Sequence, residues 1–272
     1  MLMKGVILAG GSGSRLRPLT NFVSKQLLPI YDKPLIYYPI TTLMLAGIRR
    51  ILIVCNPEHL FSFQQVLGTG EQWGIQLEYQ IQTRPKGVAD GIVVSETFIN
   101  GDPFAFILGD NLFYGTGLGR SLKESLGNSG NTSHQHSGST IFTYSVSDPT
   151  QYGVASFDSS GEIEYLEEKP KNPRSNLAVT GLYVFDSRAV GFAKELELSS
   201  RGELEILDVL KKYQQLHELN VVALGRGTAW LDTGTFNNLY EASTFIKILQ
   251  DRQGVKIGDP HEAAIVQGWI ES

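Results

Sequence analysis

The chain has 272 residues and only one cysteine, Cys55, so no internal disulfide can staple it. Cys55 closes the run Ile51-Leu52-Ile53-Val54-Cys55, which reads as a buried strand carrying an inert thiol. Positive charge is also in short supply: 23 Lys and Arg face 28 Asp and Glu, for a net charge of −5. Duplex binders neutralise phosphates with clustered cations, so no nucleic acid is expected as a partner. A small phosphorylated ligand needs only a local positive site. Long apolar runs are missing, and Val6-Ile7-Leu8-Ala9 is too short for a signal-peptide core. No membrane partner is expected and the expected location is cytoplasmic, which makes Asn131-Thr132-Ser133 a loop rather than a glycan acceptor. Internal repeats and low-complexity tracts are absent. An apolar fraction of 42% and a charged fraction of 19% describe an ordinary globular protein with a sizeable core.

Short β-rich runs alternate with helical patterns through the first half. Gly5 to Ala9, Ile51 to Cys55, Gln76 to Gln82 and Phe104 to Leu108 read as strands. Pro39 to Gly47, Pro57 to Leu67 (ended by Gly68) and Val88 to Phe98 read as helices between them. This rhythm predicts an α/β fold with a mostly parallel sheet and helices on both faces. Gly127 to Gly138 reads as a surface loop. Further on, a hairpin is expected from Ser156-Phe157-Asp158 to Ile163-Glu164-Tyr165, then a strand over Val179 to Phe185 and helices over Leu204 to Leu216 and Phe236 to Leu249.

Leu8-Ala9-Gly10-Gly11-Ser12-Gly13-Ser14-Arg15-Leu16 is a glycine-rich turn after the first buried strand. Such a turn can aim backbone N–H groups at an anion. No Gly-Lys-Ser/Thr follows, so it is not a Walker A loop, and Arg15 stands where a dinucleotide fingerprint needs its third glycine. The guanidinium fork of Arg15, with Lys25 in Ser24-Lys25-Gln26, reads as a polyphosphate grip. Asp110 in Leu108-Gly109-Asp110-Asn111 follows an apolar strand at the end of the sheet where ligands bind. Asp232 in Trp230-Leu231-Asp232-Thr233-Gly234 is a second such carboxylate. Two carboxylates plus phosphate oxygens suit magnesium. The alternative for each aspartate is a helix cap; Thr235 can cap the last helix instead, which leaves Asp232 for metal. Glu168-Lys169-Pro170 reads as an ion pair before a turn, and His134 and His136 lie in a polar loop without partner ligands. His59, His217 and His261 have no partner pattern either.

These segments, together with Tyr31 to Pro39, Tyr152-Gly153-Val154, Val179 to Tyr183 and Arg201 to Ile206, resemble the sugar-nucleotide pyrophosphorylases, a family of nucleotidyltransferases. The resemblance spans nearly the whole chain. It implies a Rossmann-like mixed, mostly parallel sheet with a smaller sugar-binding β-rich region. It implies one domain over 1–272, with a nucleotide-binding half (1–126), a sugar-binding and metal-completing half (139–251) and a C-terminal tail (252–272). The implied reaction joins dTTP and glucose 1-phosphate into dTDP-glucose and pyrophosphate with Mg²⁺ as cofactor. The implied catalytic residues are Arg15, Lys25, Asp110 and Asp232, with Asp110 and Asp232 holding the metal. The implied substrate contacts are Leu8, Gly10, Gly11, Gly13 and Gln26 around the nucleotide and Gln82 and Gly87 at the base. Asn111, Gly153, Glu168, Lys169 and Val179 would surround the sugar phosphate. The resemblance further implies a homo-oligomer, dimer or tetramer. A relative using UTP or another sugar 1-phosphate, and a non-catalytic binding protein, are the alternatives; retention of both carboxylates speaks against the latter.

The chain departs from the resemblance at Asp90-Gly91, where the family usually reads Gln-Ala. Two roles are open for Asp90: facing the sugar, or stabilising the first turn of its helix. The chain also ends at Ser272, short of the C-terminal helices of longer relatives.

Overall fold

The computed structural model describes residues 3–271 apart from 12, 116, 126, 128–137 and 160. The expected loop around His134, His136 and Asn131-Thr132-Ser133 therefore lies outside the described residues, as do Ser12 and part of the Ser159-Ser160-Gly161 turn. In chain order the strands are β1 (Lys4–Ala9), β2 (Pro29–Ile30), β3 (Lys33–Pro34), β4 (Arg50–Cys55), β5 (Gln76–Ile81), β6 (Phe104–Leu108), β7 (Asn111–Gly115), β8 (Ser139–Ser145), β9 (Gly153–Phe157), β10 (Ile163–Glu168), β11 (Leu177–Phe185), β12 (Leu219–Ala223) and β13 (Thr228–Asp232). The α-helices are α1 (Tyr37–Leu45), α2 (Leu60–Leu67), α3 (Val88–Val94), α4 (Glu96–Ile99), α5 (Leu118–Ser125), α6 (Arg188–Lys194), α7 (Ile206–Gln215), α8 (Phe236–Gln253) and α9 (Pro260–Val266).

The central sheet runs β10-β9-β11-β6-β1-β4-β5, with β8 beside β11 and β12 beside β8. β1 pairs in parallel with both β4 and β6, and β4 with β5, whereas β11 is antiparallel to β6, β8 and β9. Alternate residues explain the two-sided burial. Ile7, Ile51, Ile53, Ala105 and Ile107 face a core built with α1, α2 and α9. Val6, Leu52, Val54, Phe104 and Phe106 face a second core built with α3, α6 and α7. After β1 the chain crosses to β4 on one side and later returns as β6 on the other. The carboxyl ends of β1 and β6 therefore flank a topological switch point, the place where open α/β sheets bind ligands. A third apolar cluster, with Leu35, Tyr38, Leu112, Ala242 and Ile246, seats α8 against β2 and the β7–β13 ribbon.

Several expectations shift in detail. The helix expected over Val88 to Phe98 is two helices broken at Ser95, whose hydroxyl bonds back to Gly91 O at 2.7 Å. α1 begins two residues before Pro39, and the expected Pro57 to Leu67 helix starts as a 3-10 turn. The stretch read as a C-terminal tail contains α9, capped by the Asp259 side chain and packed on α1. Cys55 is buried, and desolvation, then Glu58, push its thiol up to about 11, as suits an inert strand residue.

Candidate active site

β1 ends at Ala9, and Gly13 leads into a short 3-10 segment, Ser14–Leu16. Gly13 has φ 58, and a Cβ there would stand 2.9 Å from Thr20 Cγ2, so glycine is required on both counts. The Thr20 hydroxyl donates to Gly13 O at 2.8 Å and ties the turn down. Gly10 is buried, and a Cβ there would collide with Gln82 Oε1. Gly11 and Arg15 are exposed.

β6 and β7 are separated by Gly109-Asp110 alone, so Asp110 sits in a strand-to-strand turn and caps no helix. Its carboxylate is gripped from two sides. Lys25 Nζ, on a side chain that is itself buried, donates to Oδ2 at 2.7 Å. Asn111 Nδ2 donates to Oδ1 at 2.8 Å. The Asn111 amide cannot rotate, because its Oδ1 accepts from Trp230 Nε1 at 2.6 Å and from Gly181 N at 3.1 Å. Burial pushes the Asp110 carboxyl upward, but the Lys25 charge and the bonds from Lys25 and Asn111 outweigh it, and the net shift is below the ordinary range.

Asp232 ends β13, opposite Asn111 in the antiparallel β7–β13 ribbon. Thr233 N and Oγ1 both bond Asp110 O, at 3.3 and 2.9 Å, which straps the two acidic segments together. α8 is capped by Thr235, whose hydroxyl accepts from Asn238 N, so Asp232 is free of that duty. A Cβ on Gly234 would lie 3.0 and 3.2 Å from the two Asp232 oxygens and 3.4 Å from an Arg15 nitrogen. Arg15 and Asp232 thus meet over a glycine that leaves the space open. Burial raises the Asp232 carboxyl above its usual value, and the Asp110 charge adds to this, while Lys25 and Arg15 pull it down. Asp110 is ion-paired with Lys25, whereas among the described residues no cation lies within salt-bridge distance of Asp232.

Leu8, Gly10, Gly11, Gly13, Arg15, Lys25, Gln26, Gln82, Gly87, Asp110 and Lys169 line one cleft of about 540 Å³ at the switch point. Gly87 has φ 117 and lies against the Leu204 backbone, where a Cβ would come within 2.5 Å of Leu204 O. Gly153, Glu168 and Val179 stand in one cross-strand row, Gly153 pairing with Glu168 on β10 and with Val179 on β11. Burial raises the Glu168 carboxyl above its ordinary value, against the pull of Lys169 at 3.6 Å and Arg201 at 3.5 Å. These three residues, Asn111 and Asp232 lie outside the cleft lining; Asn111 holds Asp110, and Asp232 stands behind the lining residue Gly234. Glu203 and Gly234 line the cleft and had not been singled out. Glu203 arrives because Leu204 docks its backbone on the Gly87 turn, through Leu204 N to Lys86 O at 2.6 Å and Ala89 N to Leu204 O at 3.1 Å. No periodicity marks that pairing. Asp90 is in the first turn of α3, and its Oδ2 accepts from Gln82 Nε2 at 2.6 Å.

Two cations, Arg15 and Lys25, and two unequal carboxylates thus gather at the switch point of an α/β sheet. The nucleotidyl transferase family profile matches residues 4–248, and the chain belongs to that family. Curated relatives sharpen the likeness. The glucose-1-phosphate thymidylyltransferase of Xanthomonas campestris pv. campestris (strain B100) is 49% identical over 99% of this chain and 89% of its own length. That of Mycobacterium tuberculosis (strain ATCC 25618 / H37Rv) is 48% identical over 99% of this chain and 91% of its own length. Among solved structures, a Bacillus anthracis protein described as a glucose-1-phosphate thymidylyltransferase, in complex with a sucrose, superposes with a TM-score of 0.83 at 35% identity, covering 96% of this chain and 99% of that one. UDP-glucose pyrophosphorylase complexed with UDP-glucose superposes with a TM-score of 0.78 at 25% identity, covering 91% and 99%.

Proposed function

We propose that the chain is a glucose-1-phosphate thymidylyltransferase: it moves a thymidylyl group from dTTP to glucose 1-phosphate, giving dTDP-glucose and pyrophosphate. The observation that carries this reading is near-half identity, over almost the full chain, to relatives of that name. The cation–carboxylate arrangement at the switch point agrees with it. A phosphate oxygen of the sugar phosphate attacks the α-phosphorus of dTTP. The new O–Pα bond forms as the Pα–O bond to pyrophosphate breaks, and the electron pair leaves with pyrophosphate. The nucleophile is a phosphate monoester with a second pKa of about 6, so it is ionised at neutral pH and no general base is needed. Charge neutralisation and alignment are what the site must supply.

Arg15 and the Gly10–Gly13 turn grip the triphosphate, and Lys25 faces the charge that develops on it. Gln82 reads the base, with Gly87 keeping the floor beside it open. The row of Gly153, Glu168 and Val179, with Lys169, receives the sugar phosphate. On this reading 1–126 is the nucleotide half and 139–251 the sugar half of one domain. Among the described residues no group of three or more His, Cys, Asp or Glu side chains could hold a metal. The two neighbouring carboxylates of Asp110 and Asp232 are a donor set that suits a hard cation which fills the rest of its shell with phosphate and water, as magnesium does. Asp110 and Asp232 would hold it, and it would supply Lewis-acid stabilisation of phosphoryl charge. The Thr233 bonds that strap the Asp232 segment to Asp110 support that fit by holding the two carboxylates close.

No helix among the described residues is long and apolar enough to cross a membrane, and a cytoplasmic location is part of the reading. So is a homo-oligomer, supported by Phe236, Tyr240 and Ile248, exposed at multiples of four along α8. The test of function is pyrophosphate release across dTTP, UTP, CTP, ATP and GTP paired with several sugar 1-phosphates. The reading expects dTTP with glucose 1-phosphate to give the highest kcat/KM. A clear preference for UTP would move the chain to the uridylyl branch, in keeping with the UDP-glucose pyrophosphorylase likeness.

A further inference from the structure

Gln82 is the first residue past β5 and is 2% exposed, and its backbone N–H bonds Cys55 O at 2.8 Å. Its side chain lies between two fixed walls. On one side Nε2 donates to Asp90 Oδ2 at 2.6 Å. On the other, Oε1 lies against Gly10 at the mouth of the nucleotide turn. The two walls differ in kind. A carboxylate has only acceptors, whereas an amide has an acceptor oxygen and two donor hydrogens. Turning the Gln82 amide over would set Oε1 against Asp90 Oδ2, acceptor on acceptor, in a part-buried place where an unmet polar group is costly. Asp90 itself is outside the cleft lining, while Gln82 is in it. A glutamine or asparagine at position 90 would not impose this order, because such an amide can turn over together with Gln82.

We propose that Asp90 is a positioning residue for nucleobase choice: by taking one Nε2 hydrogen it locks the Gln82 amide in a single polarity, with Oε1 and the second Nε2 hydrogen left for the base. This rests on the reading above that Gln82 meets the base of a nucleoside triphosphate. The edge left free is an acceptor next to a donor. Thymine and uracil present an imide N–H next to a carbonyl, which complements it. Cytosine presents a ring nitrogen acceptor next to an amino group, the reverse order, and only a flipped Gln82 could meet it. The phosphate grip fixes the direction from which the base arrives, so the base cannot simply turn over to compensate. Asp90 thereby acts on the base through Gln82 and has no part in sugar recognition.

The test compares wild type with Asp90→Asn and Asp90→Ala, reading kcat/KM for dTTP and for dCTP at saturating glucose 1-phosphate, the KM for glucose 1-phosphate, and the thermal midpoint. Asp90→Asn keeps the side-chain shape, so it guards against loss of folding in the alanine variant. Wild type is expected to favour dTTP by at least about 10³-fold, as a site built to hydrogen-bond one edge does. In both variants the dTTP-to-dCTP ratio should fall about tenfold or more. That fall should come from the nucleotide KM, with kcat for dTTP and the KM for glucose 1-phosphate changing less than about threefold. A merely structural role would lower stability and leave the ratio alone. The lock is overturned if the ratio in the folded variants stays within twofold of wild type, or if wild type uses dCTP within tenfold of dTTP. It is also overturned if the glucose 1-phosphate KM is what moves. Failure of the proposed function has a different signature: wild type inactive with dTTP but active with UTP. The same ratio is then read with UTP against CTP, which differ at the same edge. Should no pair react, calorimetric binding of dTTP and dCTP to wild type and Asp90→Asn reads the preference directly, and equal preference in the two proteins refutes the lock.

Discussion

Truncating Asn111 to alanine removes one side chain and three hydrogen bonds at once. Nδ2 no longer reaches Asp110, and Oδ1 no longer accepts from Trp230 Nε1 and Gly181 N. Trp230 and Gly181 are both buried, so two donors are orphaned out of reach of water. Each orphan costs about 1–3 kcal/mol. The Asp110 carboxylate, with its side chain 27% exposed, can recruit water and adds less. The sum is about 2–6 kcal/mol, a large share of the roughly 5–15 kcal/mol that holds a domain together. Trp230→Phe should behave differently in two backgrounds. In wild type it leaves Asn111 Oδ1 with its Gly181 partner and costs about 1 kcal/mol. In Asn111→Ala it removes a donor already orphaned, and its cost should vanish or change sign. Urea unfolding of the four proteins gives the coupling directly. Asn111→Ala within about 0.5 kcal/mol of wild type, or costs that simply add to within about 0.3 kcal/mol, would refute the network.

Three further expectations follow from the same geometry. Gly10→Ala should raise the nucleotide KM about tenfold or more with kcat less affected, since its Cβ would displace Gln82 Oε1; unchanged steady-state constants would show the amide is not held there. Lys25→Ala should lower kcat by about 10²-fold or more if Lys25 meets charge that develops in the transition state, whereas a change confined to KM would mark it as a ground-state phosphate contact. Asp186 accepts from Tyr213 Oη at 2.6 Å, Gly138 N at 2.8 Å and Arg188 N at 3.0 Å. Burial pushes its carboxyl up, but the Arg188 and Tyr213 bonds outweigh that and hold it below its usual value. Its stabilisation is thus complete above the unfolded-state pKa near 3.9 and is lost as pH falls through the lower folded value. Asp186→Asn should lower stability at pH 7 by about 1–3 kcal/mol and flatten the fall in thermal midpoint below about pH 4; an unaltered acid limb would contradict this assignment.

The first half of the fold was legible because its strands are short: β1, β4 and β6 are apolar runs, and β5 alternates apolar with polar residues. β1, β4, β5 and β6 lie within a residue of their expected spans. The glycine turn and Asp110 follow β1 and β6, at whose carboxyl ends the cleft lies, whereas Asp232 ends β13 in the separate β7–β13 ribbon and reaches Asp110 only through contacts distant in sequence. Other features are set by contacts distant in sequence. β7 follows the two-residue turn Gly109-Asp110 directly, but it went unread as a strand because its partner β13 lies more than a hundred residues on. α3 and α4 share one apolar stripe, and only the Ser95 hydroxyl divides them. Asp90 was seen as a departure, but its partner Gln82 sits eight residues earlier across a loop, and no spacing rule joins them. Gly91 is similar: a Cβ there would press on Leu8 Cδ1 at 2.8 Å, a fact of packing rather than of helix propensity.

The central claim is nucleotidyl transfer at the α-phosphorus, with Asp110 and Asp232 acting together. It is tested most directly with dTTP labelled on its α-phosphorus, incubated with glucose 1-phosphate and Mg²⁺. In the wild-type reaction the label should pass entirely into dTDP-glucose, leaving the pyrophosphate unlabelled. Asp110→Asn and Asp232→Asn, each folded, should form the labelled sugar nucleotide about 10²-fold or more slowly. Label in the released pyrophosphate, or near-wild-type rates in both folded variants, would contradict the account.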